Sequence, residues 1–281
     1  MPQKFRVNAI LVVLLAVSSA LTGSIASART LSDLDAVQTS AWQRTLTLRI
    51  AKNHLQMAAN IDFVGASARL AATIEEYNQA MTELEMNTPN SQMNQRMVKL
   101  QGLWQSFRAT AESIPGEESV AKMLDLSNDL MYENDRLMRQ WQARLPRGVG
   151  DNMGLAMHQS MLSERIGLFY VAHYYGMNDA WVLDELQHSV SAYEQGMDHI
   201  LAQADAEPEM LKQLASNWDY AKFGLEQFDN GQLVPLVMTV TMESMYHQTN
   251  TLGDAYHLKS QLALNDAQGL ANSGLASNYT E

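Results

Sequence analysis

Apolar residues recur three and four positions apart along nearly the whole chain, and no stretch sustains the alternation of apolar and polar positions that a half-buried strand needs. In "WQRTLTLRIAKNHL" Leu46 and Ile50 mark one helical face, and in "HQSMLSERIGLFYVAHYYG" Leu162, Ile166 and Phe169 mark another. Ala, Leu, Met, Gln and Glu fill these segments, while Gly and Pro fall between them. The interruptions are "DFVG", "NTPNS", "IPGE", "LPRGVGDN", "GMND", "DAEPE" and "DNG". They divide the chain into eight predicted helices, so the predicted fold class is all-α.

The order of the helices carries an internal repeat. At an offset of 116, Gln43 matches Gln159, Leu46 matches Leu162, Arg49 matches Arg165, Ile50 matches Ile166, Tyr77 matches Tyr193 and Met81 matches Met197. At an offset of 114, Trp104 matches Trp218, Met131 matches Met245 and Tyr132 matches Tyr246. The shift of two falls in a loop, where a change of length costs little. The reading is two tandem antiparallel four-helix modules from an internal duplication, spanning 29–145 and 150–264. Residues 265–281 are expected as a flexible tail. Short loops favour antiparallel neighbours within each module. The alternative arrangement is an elongated rod, in which the fourth helix runs nearly into the fifth.

The N-terminus changes the setting. Lys4 and Arg6 precede an apolar run, "AILVVLLAV", and then "IASA", the pattern of a secretory signal over 1–28 cleaved near Ala28. The chain is then periplasmic or secreted; an uncleaved N-terminal membrane anchor is the alternative. The run is shorter than the roughly 20 apolar residues of a membrane-spanning helix. With no Cys in the chain, neither a disulfide nor a lipid on cysteine contributes. Of 19 basic residues two lie in the leader, so the exported chain is more acidic than the formal −12 of the whole, which argues against nucleic-acid binding.

Candidate chemistry centres on Arg49 and Arg165. Each lies beside apolar residues at i−3 and i+1, on what reads as a core-facing stripe. A charge there needs a carboxylate or an external anion, or must extend its head to water. "QRTLTLRIAK" and "HQSMLSERIG" resemble the signature helix of the N-terminal domains of type IV pilus methyl-accepting chemotaxis transducers (PilJ-like), related to the periplasmic domains of nitrate/nitrite sensor kinases of the NarX type. That motif has two arginines five apart, as Arg44 and Arg49 are. The resemblance implies a periplasmic four-helix sensor module. In the nitrate-binding members two signature helices meet across a dimer, and an arginine from each clamps the anion. A guanidinium is suited to a planar oxyanion, to which it donates paired hydrogen bonds. The chain departs from the motif where Ser160 replaces the first arginine of the second copy, and where Ala41 and Met157 stand in place of an expected glycine. Arg44, Arg49 and Arg165 are the candidate ligand-binding residues, within one chain or in a homodimer formed through Arg44.

Other chemistry has less support. "FYVAHYY" reads as an aromatic packing patch before it reads as a pocket. Glu185 and His188 form a single E-x-x-H, whereas di-metal bundles use two with further carboxylates. The 18 methionines read as adaptable core filling rather than copper ligands. No nucleophile elbow, phosphate loop or dinucleotide fingerprint is present. The function expected is non-enzymatic and without cofactor or metal: an exported sensor-like module that binds a small oxyanion such as nitrate or nitrite and passes the signal to a partner. The competing expectation is a protein-interaction module that docks to a membrane sensor or a type IV pilus or chemosensory component, its arginines structural.

Overall fold

The computed structural model describes residues 30–202 and 208–277, with backbone alone at 229 and over 270–277. The expected leader and its cleavage site lie outside the described residues. Eight helices follow in order: α1 (Asp33–Ala58), α2 (Phe63–Met86), α3 (Ser91–Ala111), α4 (Glu117–Gln142), α5 (Asp151–Tyr175), α6 (Ala180–Leu201), α7 (Pro208–Asp229) and α8 (Pro235–Ser277). No strand occurs among the described residues, and the all-α class holds. No helix among them is long and apolar enough to cross a membrane.

Local chemistry sets the ends. Ser32 caps α1 by accepting from the Asp35 amide at 3.1 Å, and the Asp35 carboxylate accepts in return from the Ser32 amide. Gly176, at φ 109°, ends α5, with the Met177 amide bonded back to the Ala172 carbonyl. The break expected at "DFVG" falls earlier. Asn60 and Asp62 take the left-handed turn (φ 56° and 46°), which short polar side chains tolerate, and Phe63, Val64 and Gly65 are already helical. Gly65 serves a different purpose: a Cβ there would lie 2.2 Å from the Asp62 carboxylate that caps the helix. Helix α8 continues through 265–277, where a tail was expected; no proline intervenes there.

The two halves use the same pairings. In the first, α1 packs against α2 and α4, and α3 against α4; in the second, α5 packs against α6 and α8, and α7 against α8. Matched residues make matched contacts. Tyr77 stacks on Trp104 with ring centroids 4.0 Å apart, and Tyr193 meets Trp218 at 4.5 Å. Their hydroxyls differ, though both rings are buried. Tyr77 accepts from the Asn134 amide at 3.2 Å, whereas the Tyr193 hydroxyl has no partner. Tyr77→Phe should therefore cost about 1 kcal/mol, while Tyr193→Phe should be neutral or stabilising, as paired denaturant titrations would show.

The halves are joined side by side, not end to end as the rod alternative required. Helix α1 packs along α5, parallel and in register: a Cβ on Gly150 would touch Leu34, Arg49 reaches Glu164, and a Cβ on Gly167 would touch Lys52. Each pair is 115 or 116 residues apart, so related positions meet across the seam. Arg49 on α1 crosses to Glu243 on α8, and Arg165 on α5 crosses to Met131 on α4. This reciprocity is what an approximate two-fold axis along the seam requires. One continuous apolar core contains residues of both halves.

The seam corrects the idea of an arginine-bearing apolar stripe. Twenty of the 26 residues of α1 are buried, against 7 of 24 in α2. Helices α1 and α5 are buried over most of their surface and reach solvent mainly at clefts and at their ends. Their small polar residues turn inward on their own backbone: Thr47 and Asn53 each donate to the carbonyl four residues earlier, at 2.9 Å.

Candidate functional site

Arg49 lies within a closed ionic network. Its guanidinium donates to both oxygens of Glu243, at 2.5 and 2.9 Å, and to Glu164 at 3.3 Å, with the Tyr246 ring 4.3 Å from its centre. Lys52 completes the group, 2.7 Å from Glu164 and 3.4 Å from Glu243. Two cations face two anions, with the His247 ring 3.2 Å from Glu243 at the edge, so the charge of Arg49 is met within the chain. Burial alone would lower its pKa, but Glu164 and Glu243 outweigh burial and raise it. The same balance applies to Glu243: burial pushes its carboxyl up, yet Lys52 and Arg49 hold it down at about 2. A depressed carboxylate contributes stability above its unfolded pKa of about 4.3 and loses it as pH falls toward the folded value. Unfolding free energy should thus drop by about 2–3 kcal/mol between pH 4.5 and 2, and Glu243→Gln should flatten that part of the profile.

Arg44 is placed differently. It is 5% exposed and lines an open cleft of about 450 Å³ between α1, α4 and α5, whose other walls include Asp135, Arg139, Asp151 and His158. Asp135 is shared. One oxygen takes Arg44 at 2.7 Å and the other takes Arg139 at 2.8 Å. The Arg44 Nε–H is buried and has no partner. Here burial outweighs Asp135, and the pKa of Arg44 is lowered. His158 is neutral, its pKa pushed down to about 4 by burial and then by Arg44 and Arg139, against Asp135. Two guanidiniums share the Asp135 carboxylate on this wall, and Asp151 lines the same cleft.

Arg165 opens onto a smaller cleft of about 290 Å³ that shares His158 with the first. It donates to Glu185 at 2.6 Å and to the Met131 sulfur at 3.1 Å, and it lies 5.2 Å from the Phe169 ring. Its charge is balanced by one carboxylate. The three sequence-predicted arginines therefore do not converge: Arg49 belongs to the seam, while Arg44 and Arg165 lie on one open side, with His158 lining both clefts. Ser160, at the position related to Arg44, donates to Asn250 at 2.7 Å and fills its own side.

The opposite side has the other sign. Trp42, which stands where His158 does at the offset of 116, lines a cleft of about 490 Å³ with Glu76, Glu83 and Asp254 and no cation in its walls. An anion has no attraction to that face. Elsewhere "FYVAHYY" packs: Phe169 against Trp181, Tyr170 and His173 against Phe228, with the Tyr170 hydroxyl accepting from the Val234 amide at 2.9 Å. No group of three or more His, Cys, Asp or Glu that could hold a metal occurs among the described residues.

The residues that complete these sites, Lys52, Glu164, Asp135, Arg139 and His158, were not singled out from the sequence. Lys52 and Glu164 had a signal: at the offset of 116 their counterparts are Leu168 and Leu48. Two breaks in the repeat of opposite charge mark an ion pair on one side of the seam that is apolar on the other. No family model, curated protein or solved structure matches this chain.

Proposed function

We propose that the chain binds a small oxyanion, such as nitrate or nitrite, in the Arg44–Arg139 cleft, and passes its presence to a partner protein as a non-enzymatic periplasmic sensor-like module. One observation carries this reading: Arg44 is almost wholly buried, shares its carboxylate with a second guanidinium, keeps a buried Nε–H without a partner, and lines an open cleft. A planar oxyanion in this cleft would accept hydrogen bonds from the guanidiniums of Arg44 and Arg139. The resemblance of the α1 segment to the PilJ-like and nitrate-sensor signature helix points the same way. So does the pairing of α1 with α5, which gives one chain the two signature-like helices that those sensors bring from two subunits. The repeated helix pairing and the Tyr–Trp pairs support an origin by duplication. In this reading the ligand residue is Arg44, while Arg49 is structural and Arg165 flanks the site.

A second reading, docking to a membrane sensor or pilus component, is favoured by Leu236, Val237 and Val240, which leave apolar surface exposed on the first turns of α8. Thermal unfolding separates the two. Nitrate, nitrite, sulfate and chloride are compared at matched ionic strength on the wild type and on Arg44→Ser. A specific anion at about 100 times its Kd should add roughly 2.7 kcal/mol to the wild type, about 2–4 °C per kcal/mol, and nothing to Arg44→Ser. Curves that coincide for all four salts would leave only the docking reading.

A further inference from the structure

His158 is the one group that faces both open clefts, and its surroundings are fully specified. From α1 it meets Arg44; from α4, Asp135 and Arg139; along α5, Asp151 and Arg165; from α6, Glu185 and His188. Helix α8 packs on another face of α5, where Gly253 meets Met157 and Asp254 turns to Gln38 at 2.7 Å. Of the groups facing the ring, Arg44 and Arg139 act against a charge on it, and Asp135 acts for it. An anion seated against Arg44 and Arg139 reverses that balance. It offsets the guanidiniums and offers an acceptor to an imidazole N–H.

We infer that anion capture in this cleft is coupled to the uptake of one proton by His158, so that the site binds anions more tightly as the surroundings acidify. The inference rests on the anion reading above and adds its regulation. Its sign follows from linkage. The empty site holds His158 neutral down to about pH 4, and a bound anion raises the ring toward or beyond its ordinary value of about 6.5. Between those two values the bound state carries one more proton than the free state, and affinity rises about tenfold for each unit of falling pH. Above the higher value the coupling fades. Arg44 and Arg139 set the affinity at neutral pH, while His158 sets its slope.

The test uses nitrate, whose conjugate acid is strong, so that no proton in the measurement comes from the ligand. Titration calorimetry on the full chain from pH 7.5 to pH 5, in two buffers of different ionisation enthalpy, gives both the affinity and the protons taken up per nitrate. The expected result is a rise in affinity approaching tenfold per pH unit with a proton count approaching one, both absent in His158→Gln. Affinity that stays level with no proton uptake would overturn the coupling and leave the anion site standing. Proton uptake that persists in His158→Gln would overturn the assignment to His158. No binding at any pH would remove the anion site itself. Should His158→Gln not fold, the imidazole C2–H titrations of the wild type with and without nitrate decide the matter: one resonance must shift to higher pKa on binding, and its absence defeats the proposal.

Discussion

Lys52→Leu should destabilise the protein by about 3–5 kcal/mol, and Glu164→Leu by a similar amount, whereas the double variant should return to within about 1 kcal/mol of the wild type or exceed it. Lys52 and Glu164 are 1% and 0% exposed and lie 2.7 Å apart between α1 and α5. Removing one leaves a charge at the seam that water cannot reach. Arg49 and Glu243 soften the loss only in part, because each already holds the other and the foursome is neutral as it stands. Removing both leaves the Arg49–Glu243 pair neutral and places leucines where the related positions, Leu48 and Leu168, already pack without exposure. Urea titrations of the four proteins close the double-mutant cycle. Additive losses in the double variant would mean that the pair is not coupled through the seam.

Trp104→Ala and Trp218→Ala should each cost about 3–5 kcal/mol, the range for deleting a large buried aromatic. Trp104 is the more demanding of the two, because its indole N–H also donates to Asn78 at 3.0 Å. The informative outcome is the shape of the transition. A single core runs through both halves, so either substitution should lower the whole unfolding curve and leave it one cooperative step. Two separable steps, the first confined to the half that carries the substitution, would show that the seam contributes little. Calorimetry with helical circular dichroism on the same samples distinguishes these results.

Much of this architecture was legible in the sequence because helices announce themselves locally. Spacing of three and four, caps such as Ser32 and breakers such as Gly176 act within a few residues, and eight helices follow from them. The repeat gave more: Tyr77 matched Tyr193 and Trp104 matched Trp218 in sequence, though not that each Tyr meets the Trp of its own half. What the pattern could not show was how the halves meet. Burial of α1 and α5 over most of their surface is a tertiary fact, and the sequence of α1, with Thr45, Thr47, Lys52 and Asn53 among its apolar residues, reads as an amphipathic helix with a polar face. The same gap hid the fates of the arginines. Arg44, Arg49 and Arg165 look alike in sequence, and what separates them is supplied from far along the chain: Asp135 and Arg139 for the first, Glu243 for the second, Glu185 for the third. Only the seam pair left a trace, as a charged residue in one copy against leucine in the other.

Joining both sides of the seam in a single chain also frees them from one another. In a dimer of identical subunits every substitution at a two-fold interface appears twice, and a lysine introduced on one helix confronts its own image across the axis. Here Lys52 stands opposite Glu164 while Leu168 and Leu48 are apolar, and the cleft lined by Arg44 and Arg139 differs from the one around Trp42, whose charged residues are acidic. A seam held within one chain does not part on dilution, and its two sides are open to separate selection.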